Sequence, residues 1–358
     1  MLALLSPLLG FGAYRASVYF GGMHHWRAAQ RSLVQRDFES ASAHLQKTLD
    51  VWPQDVAVRL VAAQTSRVLG DYRAADAHLR AYRRSKGSAD AEALEERLRR
   101  VQDGDLGEGD AMLASCVDRP DAPETPWILQ ALIEGSLKVL DNASAQGLDF
   151  VIPKDWRARK AVDLWLRLRQ NPADQAQGLV WRGRIQAHAR DDAAALADFR
   201  AALAMGPEHF EARWTVANSI FQKAPEEAAA HLERLRRRRP DDLRVRQTLA
   251  AVRRSLGQTD EAAKLLDEIL AATPDDAAAL LERGMVALDE GDSAKAENWL
   301  RQAEKQAPDT PEVCRALSRC LHLAGRAEEA RRYHDQFEQL EGGRNAKREQ
   351  LLKAGPVP

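Results

Sequence analysis

The sequence predicts an all-α fold, a right-handed α-solenoid of about nine helix-turn-helix repeats, on three observations. Pro207, Pro240, Pro274 and Pro308 recur at intervals of 33, 34 and 34 residues. In step with them run three columns: the alanines Ala195, Ala228, Ala262, Ala296 and Ala330, the small residues Gly183, Ala217, Ala250, Gly284 and Ser318, and the large apolar Phe199, Leu232, Leu266 and Leu300. Short turns, Gly257-Gln258-Thr259, Gly291-Asp292-Ser293 and Gly325-Arg326-Ala327, fall at equivalent places. Alanine is common here, so one column would decide little. Columns that stay mutually in phase define a repeat, and a period of this length is that of a stacked helical array.

Composition bounds the function. The 358 residues are 45% apolar and 29% charged, with 52 basic against 53 acidic side chains. That is a folded chain long enough for one array. The balanced charge lacks the signature of a polyanion binder, so a nucleic-acid role would rest on local clusters. Cys116, Cys314 and Cys320 cannot form a disulfide framework and match no zinc spacing.

The first element is an apolar segment, residues 1–21, led by LALLSPLLGFGAY at 2 to 14. Thirteen residues are too few to span a bilayer and fit the apolar core of a signal peptide, but no basic residues precede them and no small-x-small site follows. Extended to residue 23 the segment is long enough, yet Arg15 near its centre costs about 2.5 to 3.5 kcal/mol on insertion. Membrane attachment through residues 1–22, export, and an apolar helix capping the fold all stay open, so the chain is either membrane-attached or cytoplasmic. Arg15, Arg27, Arg31 and Arg36 would favour a cytoplasmic body if the segment anchors it.

Repeats then occupy 22–123. Ala29 and Ala63, Ala41 and Ala75, Leu45 and Leu79, and Pro53 and Gly87 are each 34 apart, and Arg36-Asp37-Phe38 matches Gly70-Asp71-Tyr72. The third repeat is irregular. Its DGDLGEGD loop, 103 to 110, mixes carboxylates with glycine, but Gly107 takes the third carboxylate's place and no glutamate closes the loop, so it reads as an interhelical turn. Steps of 34 from residue 22 reach 124, whereas the C-terminal frame starts at 176, 52 residues on. The surplus of 18 is expected as an inserted loop at about 141–155 inside a degenerate repeat, 124–175, since 125–140 and 156–169 both look helical. The C-terminal repeats fill 176–341, and 342–358 form a charged tail.

Each unit reads as helix, short turn, helix, and a proline that stops the second helix. The small columns mark where helices cross and backbones approach closely. One helical pair cannot bury its apolar face alone, so stacking supplies the core.

These residues resemble the tetratricopeptide repeat, whose pattern is W-x2-L-G-x2-Y, then A-x3-F, then P, over 34 residues. The matches are Leu179-x2-Arg182-Gly183-x2-Gln186 with Ala195-x3-Phe199 and Pro207, and Leu280-x2-Arg283-Gly284-x2-Ala287 with Ala296-x3-Leu300 and Pro308. Aliphatic or polar residues replace most aromatic places of the first helix. The resemblance covers about nine tenths of the chain, strongly in 176 to 340, less so in 22 to 87 and poorly in 90 to 175.

No nucleophile elbow, zinc-protease, P-loop or dinucleotide motif occurs, so no enzyme activity, cofactor or metal site is expected. Arg236 to Arg239 end a second helix, where cations compensate the helix dipole; a phosphate patch is the rival reading. In the family, the first helices of successive units line a concave groove that holds a peptide or helix. The resemblance therefore implies a groove presenting Arg184, Trp214, Asn218, Phe221, Arg254, Arg315 and Arg319, with Val180 beside them. Trp214 and Phe221 are seven apart on one helix face, and aromatic and arginine clusters dominate interfaces; Trp214 equally suits packing between repeats. The expected function is a non-enzymatic scaffold binding a peptide or helix of a protein partner. The alternatives are a polyanion or nucleic-acid binder through Arg clusters and an accessory subunit of an enzyme or membrane assembly.

Overall fold

The computed structural model describes the backbone of residues 5–145, 152–153 and 156–352, and the side chains from 19 to 346 within those bounds. Its regular elements are helices alone; no strand occurs among the described residues. They run in pairs: α1 (Leu5–Val34) and α2 (Phe38–Val51), α3 (Val56–Val68) and α4 (Tyr72–Arg84), α5 (Ala89–Gln102) and α6 (Gly109–Asp118), α7 (Thr125–Ala145) and α8 (Arg157–Leu168). Then follow α9 (Pro172–His188) and α10 (Asp192–Met205), α11 (Phe210–Ile220) and α12 (Pro225–Arg238), α13 (Leu243–Ser255) and α14 (Thr259–Ala272), α15 (Ala277–Asp289) and α16 (Ser293–Gln306), α17 (Pro311–Leu323) and α18 (Ala327–Leu352). The chain forms two compact units, Met1–Val139 with Asp155–Trp181, and Leu140–Lys154 with Arg182–Pro358. The division falls within α7 and within α9.

In the second unit the three predicted columns interlock. A Cβ on Gly183 would stand 2.5 Å from Phe199 Cε1 and 3.1 Å from the Ala195 carbonyl oxygen; one on Gly284 would stand 2.7 Å from Leu300 Cδ2 and 3.4 Å from the Ala296 oxygen. The small column is therefore small because the large column of the paired helix fills that space. In the last pair a serine holds the place, and Ser318 Oγ donates to the Ala330 carbonyl at 2.8 Å. Ala217, Ala228, Ala262, Ala296, Leu232, Leu266 and Leu300 are fully buried in one continuous core. First helices also meet across repeats, α13 on α15 and α15 on α17.

The turns obey one local rule. Gly70, Gly257, Gly291 and Gly325 adopt φ of 78°, 73°, 81° and 76°, ending the first helix in the left-handed region. Arg36 and Arg190 take the same conformation at 57° and 63°. At four of these six turns the next residue caps the second helix: Asp37, Asp71, Asp191 and Asp292 each accept from the backbone N–H three positions on. Gly104, at φ 107°, stands 34 residues after Gly70, so the irregular third repeat keeps the phase.

The first unit is held by a buried polar ladder across its first helices. Arg67 of α3 donates to Glu95 and Gln102 of α5, both at 2.8 Å; Gln102 donates to Glu134 of α7 at 2.9 Å. A Cβ on Gly135 would lie 1.9 Å from the Val101 oxygen, so α5 and α7 approach almost backbone to backbone. Arg36 sits with its guanidinium 5.1 to 5.3 Å from the rings of Phe38, Trp165 and Trp181 and 3.3 Å from Asp174. Burial pulls its pKa down against the raising charges of Glu134 and Asp174.

Two expected boundaries shift. α7 continues to Ala145, so the first five residues of the expected 141–155 loop are helical; residues 146–151, 154 and 155 of that loop lie outside the described residues. α18 runs on to Leu352, so the expected tail from 342 begins as helix. Residues 5–21 of the apolar N-terminal segment belong to α1; residues 1–4, and the side chains up to residue 18, lie outside the described residues. Among the described residues no helix is long and apolar enough to cross a membrane.

Candidate functional site

The second unit brings three of the expected groove residues into one hollow. It measures about 460 Å³ and is lined by Arg184 of α9, Trp214 and Asn218 of α11, Arg244 of α13, and Asp141 and His188. Trp214 and Asn218 are four apart on α11 and share a face. Asn218 is exposed, while Trp214 is partly buried and also packs on the core, so the groove role and the packing role coincide in one ring. Its indole Nε1 is buried and makes no hydrogen bond within the described residues. The Arg244 guanidinium lies 5.4 Å from the ring centroid, a cation–π distance.

The polar wall comes from outside the repeat frame. Asp141, in the last turn of α7, accepts from Arg184 Nη2 at 2.5 Å and pairs with His188 Nε2 at 2.9 Å; Ser144 Oγ lies 3.3 Å from His188 Nδ1. Burial acts to raise the Asp141 pKa, but the hydrogen bonds and charges of His188 and Arg184 outweigh it and hold the carboxyl below its ordinary value. Sequence reasoning missed Asp141 because it lies in the stretch read as an inserted loop.

The other expected residues do not join this hollow. Phe221 follows the last turn of α11 and packs against the core. Val180 is fully buried and does not face the groove, a correction to its expected place: its position on α9 points it into the core. Arg254 of α13 donates to Glu282 and Asp289 of α15, both at 3.0 Å, and Arg319 of α17 reaches Asp289 at 3.4 Å. Burial acts to lower the Arg254 pKa, yet the two carboxylates leave it raised. Arg315 is exposed. Arg254 and Arg319 thus cross-link successive first helices. Glu282 and Asp289, seven apart on one face of α15, were the readable signal for that ladder.

The Arg236 to Arg239 run sits on its own neighbours. Arg236 pairs with Glu233 at 3.2 Å, Arg238 with Glu208 at 3.2 Å, and the Arg239 guanidinium lies 4.4 Å from the Phe210 ring. The DGDLGEGD turn joins α5 and α6, and three of its four carboxylates face cations: Asp103 to Lys138 at 2.5 Å, Glu108 to Arg97 at 2.7 Å, Asp110 to Arg157 at 3.5 Å. Among the described residues no group of three or more metal-ligating side chains is arranged around a common point.

Residues 221–277 and 248–311 match one tetratricopeptide-repeat family model, and 287–336 match another. These stretches are tetratricopeptide repeats. The repeats, α-helical throughout the described residues, are degenerate in the aromatic places and regular in the small ones. Among curated proteins the chain is 32% identical over 179 residues to protein FlbA of Caulobacter vibrioides, a match covering 48% of this chain. The chain spans 29% of that relative's length. Among solved structures it resembles a tetratricopeptide repeat protein from Parabacteroides merdae, with TM-score 0.50 and 17% identity over 73% of this chain and 97% of that one, a likeness of fold. MamA from Desulfovibrio magneticus RS-1 aligns with TM-score 0.41 and 16% identity over 48% of this chain and 97% of that one. The repeat fold is generally that of a non-enzymatic protein–protein interaction scaffold.

Proposed function

We propose that the second unit binds a peptide or helix of a partner protein along its first helices, with the Trp214 hollow as the anchor point. One observation carries this reading: Arg184, Trp214, Asn218 and Arg244, from three successive first helices, line a single hollow of about 460 Å³. An aromatic ring flanked by guanidinium groups and an exposed amide is the composition that concentrates binding energy at interfaces. Asn218 offers a donor and an acceptor to a partner's backbone, while Trp214 offers apolar area with little conformational entropy to lose.

The internal carboxylates narrow the partner. Arg254 and Arg319 already share Asp289, and Arg184 already holds Asp141. A partner engaging this groove is therefore selected by apolar contact at Trp214 more than by negative charge.

Cross-linked pull-downs with the full chain and with Trp214→Ala and Asn218→Ala test this. Partners recovered by the wild type and lost with Trp214→Ala, together with slowed amide exchange over 210–221 in the complex, would support it. Unchanged recovery with Trp214→Ala would remove the groove assignment.

A further inference from the structure

A second surface, independent of the groove, lies on the first helix pair. Tyr19 and Phe20 on α1 are adjacent and 52% and 68% exposed. Single exposed apolar residues are ordinary on a protein surface, but these two do not stand alone. The Tyr19 ring lies 5.4 Å from that of Trp52, which ends α2, and Trp26 stands further along the same helix; with Tyr19 both tryptophans line a hollow of about 650 Å³. The arrangement is built in by Gly22, whose absent Cβ would lie 3.1 Å from the Trp52 ring. Asp55 borders the hollow, with its carboxylate engaged by the Val58 N–H at 2.9 Å as a helix cap.

Along α1 the sequence changes character in a fixed order. Residues 5–14 carry no charge, 19–26 carry Tyr19, Phe20 and Trp26, and exposed Arg27 and Arg31 follow; Arg15, between the first two bands, is the one departure from the order, and no acidic residue occurs before Asp37. At about 1.5 Å of rise per residue these bands fall at successive depths along one axis. Hydrocarbon, aromatic interface and charged headgroups succeed one another in the same order in a bilayer, where Tyr and Trp rings concentrate at the interface and cations meet anionic lipids. A protein partner or a second copy of the chain would cover an apolar patch but gives no reason for that gradient.

We propose that the Tyr19, Phe20 and Trp52 patch seats on the interface of an anionic lipid bilayer. The test is flotation of the full chain with phosphatidylcholine vesicles, with and without phosphatidylglycerol. The chain is expected to float with the anionic vesicles, and Tyr19→Ser with Phe20→Ser to lower partitioning by about tenfold or more. Both side chains are more than half exposed, so the double variant keeps its helix content and its elution volume. Arg27→Glu with Arg31→Glu should weaken binding to the anionic vesicles and leave binding to the neutral ones unchanged. Partitioning unaffected by the Tyr19 and Phe20 changes would overturn the proposal. So would a lipid-free dimer that those changes dissociate, which would assign the patch to a second copy.

Discussion

Arg184 of α9 donates to Asp141 of α7 across 43 residues of sequence, at 2.5 Å, on the wall of the hollow that Trp214 lines. An arginine that phase alone assigns to the groove is thus already partnered by a carboxylate from outside the repeat frame. A carboxylate arriving on a partner would have to displace Asp141. Four expectations follow, the first from this pairing and the others from packing elsewhere in the chain.

The Asp141 pairing is pH-dependent in a stated sense. Its carboxyl titrates below the ordinary 3.8 in the folded chain, so the unfolded chain binds the proton more readily. The pair's contribution is complete above about 3.8 and is lost as pH falls through the lower folded value. Asp141→Asn should therefore lower the urea midpoint by a constant amount from pH 7 to 5. The gap to wild type should close below 3.8, and a gap unchanged at pH 3 would refute the assignment.

Glycines should rank by what a methyl group would meet. At Gly343, in α18, nothing lies within 4 Å, so alanine removes backbone entropy from the unfolded state and stabilises by about 0.5 to 1 kcal/mol. At Gly284 the Cβ meets the Leu300 side chain at 2.7 Å. Leu300 can turn aside, so an overpacking cost of about 1 to 3 kcal/mol is set against a helical gain of about 1. At Gly135 the obstacle is the Val101 carbonyl oxygen at 1.9 Å, a backbone atom that cannot move alone. Gly135→Ala should cost more than about 3 kcal/mol, beyond the usual overpacking range. Urea denaturation of the three variants checks the order.

Arg67 and Glu95 form an ion pair with side chains 2% and 3% exposed. Removing one partner strands a charge, so Glu95→Ala should cost about 3 to 5 kcal/mol, whereas Arg67→Met with Glu95→Leu should recover most of that loss. A double-mutant cycle in urea measures the coupling. A double variant no more stable than Glu95→Ala would show that the pair is not the main contribution.

The thiols should be inert in the folded chain. Cys116, Cys314 and Cys320 are buried, and burial pushes all three pKa values up, Cys116 to about 11. Thiolate is the reactive form, so a colorimetric thiol reagent at pH 8 should label the native chain slowly and three thiols promptly in urea. Prompt native labelling would contradict the packing of α6 and α17.

The repeat was legible because its constraints are local and recur. Gly284 must be small for the same reason as Gly183, since Leu300 and Phe199 fill the same space one helix away. Gly104 was a readable signal as well: it continues the step from Gly70, and its φ of 107° shows the third repeat in phase where its irregular composition hid it. The site was half legible. Phase brought Arg184, Trp214 and Asn218 together, because equivalent places on successive first helices are neighbours in space. It misplaced Val180 and did not see Arg254 and Arg319 converge on Asp289, since helix rotation and side-chain reach decide which flank of a helix is open.

The order of letters alone determined the helical pairs, their period, the buried columns and the caps, since each depends on contacts inside one repeat or between adjacent ones. Tertiary structure decided the rest: that Asp141 meets Arg184, that Arg36 is enclosed by Trp165 and Trp181, and that Tyr19 lies against Trp52. Those contacts join residues with no fixed spacing. No periodicity encodes them, and they exist once the stacked helices have fixed where each side chain stands.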